Sequence, residues 1–231
     1  MNTTVLALQE EQVLAAVGRP GAKPSVQALY RAPAHGGGME NWERAVGALW
    51  QAHDLPTRGI TLVLPDEAVT THTVTAPRMP ESRLGLHLGS VTVPMAGRLR
   101  LLRAMPSLQS MTFVCLCFEG SSVLSLLVEN GAYRYSSRSR VFSEPGTLDF
   151  GTEMTRSVSG TMQFHTTGRP ASPLTDVFYA GCPDDDFEVC LAGIRELGLR
   201  VSRLPECPAF RTLPNGERLS DWLGCAEALI R

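Results

Sequence analysis

The stretch that most constrains the fold runs from Met111 to Phe142. It reads as three consecutive β-strands with two tight turns. Phe113–Phe118 is an apolar run, Glu119-Gly120-Ser121-Ser122 is a turn, and Val123–Val128 is a second apolar run. Glu129-Asn130-Gly131 then leads into Tyr133–Val141. Asn-Gly between two apolar runs predicts a hairpin, because both residues accept positive φ. An antiparallel meander is therefore expected here, and the remaining elements have to be arranged around it.

The chain upstream repeats this order in a weaker form. Thr3–Leu8, Gln12–Val17 and Val26–Tyr30 read as strands, the first two separated by Gln9-Glu10-Glu11. Met39, Trp42, Val46, Leu49, Trp50 and His53 share one helical face, and Pro56 stops that helix. Ile60–Leu64 is continuously apolar, as in a buried parallel strand. Val69–Thr75 is a further strand candidate, and Pro77-Arg78-Met79-Pro80 a loop. Beyond the meander, Phe150, Met154, Val158 and Met162 recur every fourth residue, predicting a helix over about 147–165. Leu174–Ala180 reads as a strand. Asp184-Asp185-Asp186 read as the cap and first turn of a helix that buries Phe187, Cys190, Leu191, Ile194 and Leu197 and ends at Gly198. Leu199–Ser202 is a short strand, and Leu219–Ile230 a terminal helix.

The element order is thus β-β-β-α-β, a connector, and β-β-β-α-β-α-β-α. The fold class expected is α/β and actin-like: two ribonuclease-H-like β-β-β-α-β units with a reduced insert between them. The expected boundaries are 1–80 for the first unit, 81–110 for the insert or connector and 111–231 for the second unit.

Composition excludes several functions. With 231 residues, 43% hydrophobic, the chain can bury a normal core, and its net charge of -2 exerts no general pull on nucleic acid or anionic membrane. No apolar run reaches the roughly 18–20 residues of a membrane span. The N-terminus lacks the pattern of a secretory signal. Six cysteines without a Cys-x-x-Cys pair are expected as buried, reduced thiols, which implies the cytoplasm and no metal site. Cys115 and Cys117 should share one face of a strand. The five histidines have neither i,i+4 partners nor suitably spaced carboxylates. Ser121-Ser122 lacks the glycine context of a nucleophile elbow. A ribonuclease-H-type nuclease needs several carboxylates around two metals, and the first strand of the second unit offers only Glu119 at its tip. Trp42, Trp50 and Trp222 are expected in the core.

In an actin-like ATPase, the turn between the first two strands of each unit grips phosphate through an acid, a glycine and a hydroxyl. Phe118-Glu119-Gly120-Ser121-Ser122 retains those groups in a shortened form. Leu8-Gln9-Glu10-Glu11-Gln12 has no glycine and sets two carboxylates where polyphosphate would lie, each contact costing on the order of a kcal/mol. After the late strand, Ala180-Gly181-Cys182-Pro183 retains one glycine ahead of three aspartates. No cofactor is therefore expected; were Mg-ATP to bind, Glu119, Gly120, Ser121 and Gly181 would hold it.

Several segments together resemble the PilM-type actin-like proteins of type IV pilus assembly and, more distantly, the cytoplasmic domain of GspL-type secretion proteins. They are Leu64-Pro65-Asp66-Glu67-Ala68-Val69 running on through Thr73–Met79; Leu127-Val128-Glu129-Asn130-Gly131 with Arg138; Asp176–Gly181; and Leu223–Arg231. The resemblance implies a non-catalytic cytoplasmic scaffold at the inner face of the cell membrane. Such a scaffold binds the cytoplasmic tail of a membrane-anchored pilus or secretion platform protein. The alternative is an actin-like ATPase with an atypical site. The segment from Ser82 to Phe118 holds Arg83, Arg98, Arg100 and Arg103 and no acid, so these arginines are the expected partner surface.

Overall fold

The computed structural model describes residues 2–65, 87–92, 94–210 and 213–230. It divides into two compact units, Met1–Ala104 with Cys207–Arg231, and Met105–Glu206. The Val69–Thr75 strand, the Pro77–Pro80 loop and Arg83 lie outside the described residues.

In the first unit, β1 (Thr3–Leu8), β2 (Gln12–Arg19) and β3 (Ser25–Pro33) form an antiparallel meander, followed by α1 (Met39–His53) and β4 (Arg58–Val63). β5 (His87–Thr92) and α2 (Pro94–Arg103) complete the succession. The sheet order is β3-β2-β1-β4-β5, with β4 parallel to β1 and β5 parallel to β4. Period-two alternation sends Leu6, Val13 and Ala15 to one face, where Ala45, Val46 and Leu49 of α1 cover them. A terminal helix, α6 (Leu223–Leu229), packs on β1, β2 and β4 and against α2. Gly224 permits that approach: a Cβ there would lie 2.9 Å from the Ala7 methyl.

In the second unit, β6 (Phe113–Glu119), β7 (Ser122–Glu129) and β8 (Ala132–Arg140) form the expected meander. α3 (Leu148–Thr167), β9 (Asp176–Ala180), α4 (Asp184–Phe187), α5 (Leu191–Glu196) and β10 (Arg200–Arg203) follow. Its order is β10-β9-β6-β7-β8, with β9 parallel to both β6 and β10. The same arrangement of first, second, third, fourth and fifth strands therefore appears in both sheets. Asn130 (φ 49°) and Gly131 (φ 72°) make the second hairpin turn as the sequence predicts. Thr147 caps α3, its hydroxyl accepting from the Phe150 amide at 3.3 Å. Phe150, Met154 and Val158 then fill the core over Val114, Leu116, Val123 and Leu127. Each such burial contributes at most ~1.5–3 kcal/mol. All six cysteines are buried thiols, and the Cys115 and Cys117 sulfurs lie 3.5 Å apart on one strand face.

Three expectations need correction. The segment 87–103 is not a connector: β5 and α2 belong to the first unit. Cys207–Arg231 joins that unit too, because the apolar side of α6 covers the second face of its sheet. The helix after Gly181 starts from Pro183, and Asp184 does not cap it; its carboxylate instead accepts from Tyr179 Oη at 2.6 Å and Arg203 Nε at 2.7 Å. A 3-10 turn, Glu188–Cys190, separates α4 from α5.

Candidate functional site

The β6–β7 turn is a two-residue connection. Glu119 pairs with Ser122, and Gly120 takes φ 58°. Glu119 Oε2 lies 2.8 Å from Arg138 Nη1, reaching across β7 to β8. Arg138 also donates to Ser122 Oγ at 2.9 Å, and that hydroxyl donates to the Glu119 carbonyl at 3.2 Å. The acid that would face a metal therefore joins three strand ends. Gly181 (φ 79°) sits at the same end of the sheet, where a Cβ would stand 2.5 Å from the Phe118 carbonyl oxygen. The fold thus brings Glu119, Gly120, Ser121 and Gly181 to one sheet end. The role of Gly181 there is close approach of one chain to another.

The corresponding β1–β2 turn is closed by the protein itself. The Gln9 amide donates to the Gln12 carbonyl at 3.0 Å, and the two glutamine side chains bond at 3.0 Å. The Trp42 indole N–H, on the first turn of α1, donates to the Gln9 carbonyl at 2.8 Å, and Gly37 (φ 66°) packs on the Glu10 backbone. Trp42, expected simply as core, is half-buried and latches α1 to this turn. Its position at the start of a predicted amphipathic helix gave no hint of that bond.

These turns do not fit Mg-nucleotide as they stand. Glu119 is held by a guanidinium, the first turn presents Glu10 and Glu11 with no glycine, and Asp184 is engaged by Tyr179 and Arg203. Burial, reinforced by Asp184, pushes the Tyr179 phenol up to about 12, so it remains a neutral donor. Among the described residues no group of three or more His, Cys, Asp or Glu is placed to hold a metal ion.

The expected arginine surface is also changed. Arg98 is buried: its Nε donates to Glu227 Oε1 at 2.5 Å and its Nη2 to Oε2 at 3.4 Å. It fixes α2 to α6 and is withdrawn from any partner surface. Arg100 and Arg103 are exposed in the last turn of α2, where cations suit the helix dipole, and Arg100 Nε donates to the Ile230 carbonyl at 3.3 Å.

No protein-family model matches the sequence, and no curated protein matches it. Solved structures do match. A PilM–PilN type IV pilus biogenesis complex superposes with a TM-score of 0.67 at 13% identity, over 99% of this chain and 97% of that one. A protein of actin-like ATPase fold and unknown function from Bacteroides thetaiotaomicron gives 0.56 at 7% identity, over 97% and 95%. This chain has an actin-like fold. Component A of the (R)-2-hydroxyglutaryl-CoA dehydratase from Acidaminococcus fermentans is also similar, with a TM-score of 0.52 at 10% identity over 99% and 96%. The actin-like fold accounts for the repeated strand order and places the two hairpin turns at equivalent positions of the two units.

Proposed function

We propose that this actin-like protein is a non-catalytic scaffold of a pilus, competence or secretion platform. It binds the cytoplasmic tail of a membrane-anchored partner and so lies at the inner face of the cell membrane. The observation that carries the reading is that neither hairpin turn at which an actin-like ATPase would hold phosphate keeps a full set of phosphate-gripping groups: Glu119 is paired with Arg138, and the first turn sets Glu10 and Glu11 there with no glycine. The likeness to the PilM–PilN complex over nearly the whole chain supports the choice of platform. No helix among the described residues is long and apolar enough to cross a membrane.

Two measurements test this. Titration with Mg-ATP to millimolar concentration is expected to give no heat and no rise in melting temperature, whereas a ligand at a hundred times its Kd would add about 2.7 kcal/mol. Co-expression with single-span membrane proteins encoded beside it should carry the chain into the membrane fraction with one of them, and removal of that protein's cytoplasmic tail should release it. Nucleotide-dependent stabilisation with hydrolysis would replace the scaffold by the ATPase reading.

A further inference from the structure

Two turns place asparagine before glycine, Asn130-Gly131 and Asn215-Gly216. Both asparagines hold left-handed backbone, at φ 49° and 59°. Asparagine before glycine is the pair most open to spontaneous cyclisation, because no Cβ shields the backbone nitrogen that attacks the side-chain amide. That nitrogen has to give up its proton and swing onto Cγ. A turn held by its surroundings therefore resists, and a loosely held turn reacts.

The Asn130 turn is held. The Gly131 amide donates to the Met111 carbonyl at 3.1 Å, and the Asn130 amide donates to Thr112 Oγ1 at 3.1 Å. Glu129 pairs with Ala132 across the turn, and the Gln109 backbone lies so close to Gly131 that it leaves no room for a Cβ. The Asn215 turn is open. Asn215 and Gly216 are exposed, and a Cβ on Gly216 would meet open space. The bond that closes the turn, from the Glu217 amide to the Pro214 carbonyl at 3.2 Å, spans Gly216 without using its N–H. Among the described residues no backbone carbonyl accepts from that N–H.

The next residue is an anchor. Glu217 Oε1 and Oε2 accept from Arg31 Nη2 of edge strand β3 at 3.0 and 3.1 Å, and Oε2 accepts from Trp222 Nε1 at 2.9 Å. The Arg31 guanidinium lies 5.0 Å from the centre of the Trp222 ring. Asn215 therefore stands two residues from the side chain that ties the terminal segment to the first sheet.

We infer that, whichever function the chain serves, Asn215 is a site of spontaneous deamidation whose product loosens the Glu217 anchor. The Gly216 nitrogen bonds to Asn215 Cγ, ammonia carries away the side-chain nitrogen together with the displaced proton, and a cyclic imide remains. Water opens the imide at either carbonyl, giving aspartate or isoaspartate. Isoaspartate lengthens the main chain by one carbon, and either product adds a negative charge beside Glu217.

Ageing of the folded full chain at mildly alkaline pH tests this, read by mass spectrometry of tryptic peptides and by methylation with an isoaspartyl methyltransferase. The peptide ending at Arg218 is expected to deamidate at least about tenfold faster than the one ending at Arg134, because the Asn130 turn must open before it reacts. In urea the two should react at similar rates. Aged wild type should melt at a lower temperature than fresh protein, and Asn215→Gln aged alongside should show no such drop. Equal rates at Asn130 and Asn215 in the folded chain, or no reaction at Asn215, would overturn the site. Aged wild type that melts like fresh protein while carrying isoaspartate at Asn215, or an equal drop in Asn215→Gln, would overturn the loosening of the anchor.

Discussion

The contact between Arg98 and Glu227 offers the sharpest test of how the terminal segment is held. The two side chains are 2% and 1% exposed, and their hydrogen bonds, Nε to Oε1 and Nη2 to Oε2 among them, join α2 to α6. Gly97 brings the helices together, since a Cβ there would lie 2.6 Å from the Glu227 carbonyl oxygen. Arg98→Met removes one partner of a buried charge pair and leaves the carboxylate uncompensated, which costs about 3–5 kcal/mol. For a unit of this size that corresponds to a melting temperature lower by roughly 10 °C or more. Arg98→Met with Glu227→Met removes both charges, and most of the loss should return, because a buried ion pair contributes little beyond an apolar pair of similar volume. Urea unfolding of wild type, both single variants and the double variant, followed by tryptophan fluorescence, gives the coupling energy directly. A cost below about 1 kcal/mol for Arg98→Met would mean that the pair behaves like an exposed one, refuting the burial argument. A double variant as unstable as Arg98→Met would assign the effect to packing rather than charge.

Three further outcomes are expected. Gly181→Ala forces a Cβ toward the Phe118 carbonyl at a φ of 79° and should cost about 1–3 kcal/mol in urea unfolding; unchanged stability would contradict the close approach. The Arg134 hydrogen bond, opposed by burial and aided by the Ala171 and Ser172 amides, lowers the Glu129 carboxyl below its ordinary 4.5. That carboxylate therefore contributes stability that is present above pH 4.5 and lost as the pH falls through the depressed folded value. Melting curves of wild type and Glu129→Gln should converge across that acid range, and a constant gap would contradict the linkage. Burial pushes the Cys182, Cys190 and Cys225 thiols up to about 12, so iodoacetamide at about pH 8 should label these cysteines only after unfolding. Labelling of the native protein would show that they are not enclosed.

The parts legible in the sequence were those with local causes. Asn130-Gly131, the α1 stripe and the Phe150–Met154–Val158 series each announce an element within a few residues, and the repeated element order led to the actin-like fold. What the sequence concealed was non-local. Arg98 looks like surface because its counter-charge, Glu227, lies 129 residues later. β5 was not recognisable because its pairing depends on β4, and α6 could not be assigned to the first unit from its own amphipathicity. Asp184 looks like a helix cap in sequence, and only the folded chain brings Tyr179 and Arg203 to it. At the candidate site, the retained Glu-Gly-Ser-Ser pattern was visible, but the guanidinium that holds the glutamate comes from two strands away.

That guanidinium explains how the turn chemistry of an actin-like protein can change without loss of the fold. The strands owe their stability to apolar side chains on buried faces, and β7 is buried along its whole length. The turns at the sheet ends need only satisfy their own backbone groups. A glutamate at such an end, next to a strand rich in arginine, gains more from an ion pair across the meander than from remaining open to solvent, provided that no bound cation competes. Glu119 and Arg138 have that geometry, at 2.8 Å and mostly buried. If Mg-nucleotide did bind here, it would first have to displace Arg138 from Glu119, and the displaced arginine would lose its bond to Ser122 as well. Arg138→Gln is therefore the variant that gives nucleotide binding its best chance. If even this variant shows no Mg-ATP-dependent shift in melting temperature, then the missing glycine and the two glutamates of the first turn are sufficient to exclude the ligand. A shift in Arg138→Gln with none in wild type would instead identify the ion pair as the element that closes the site.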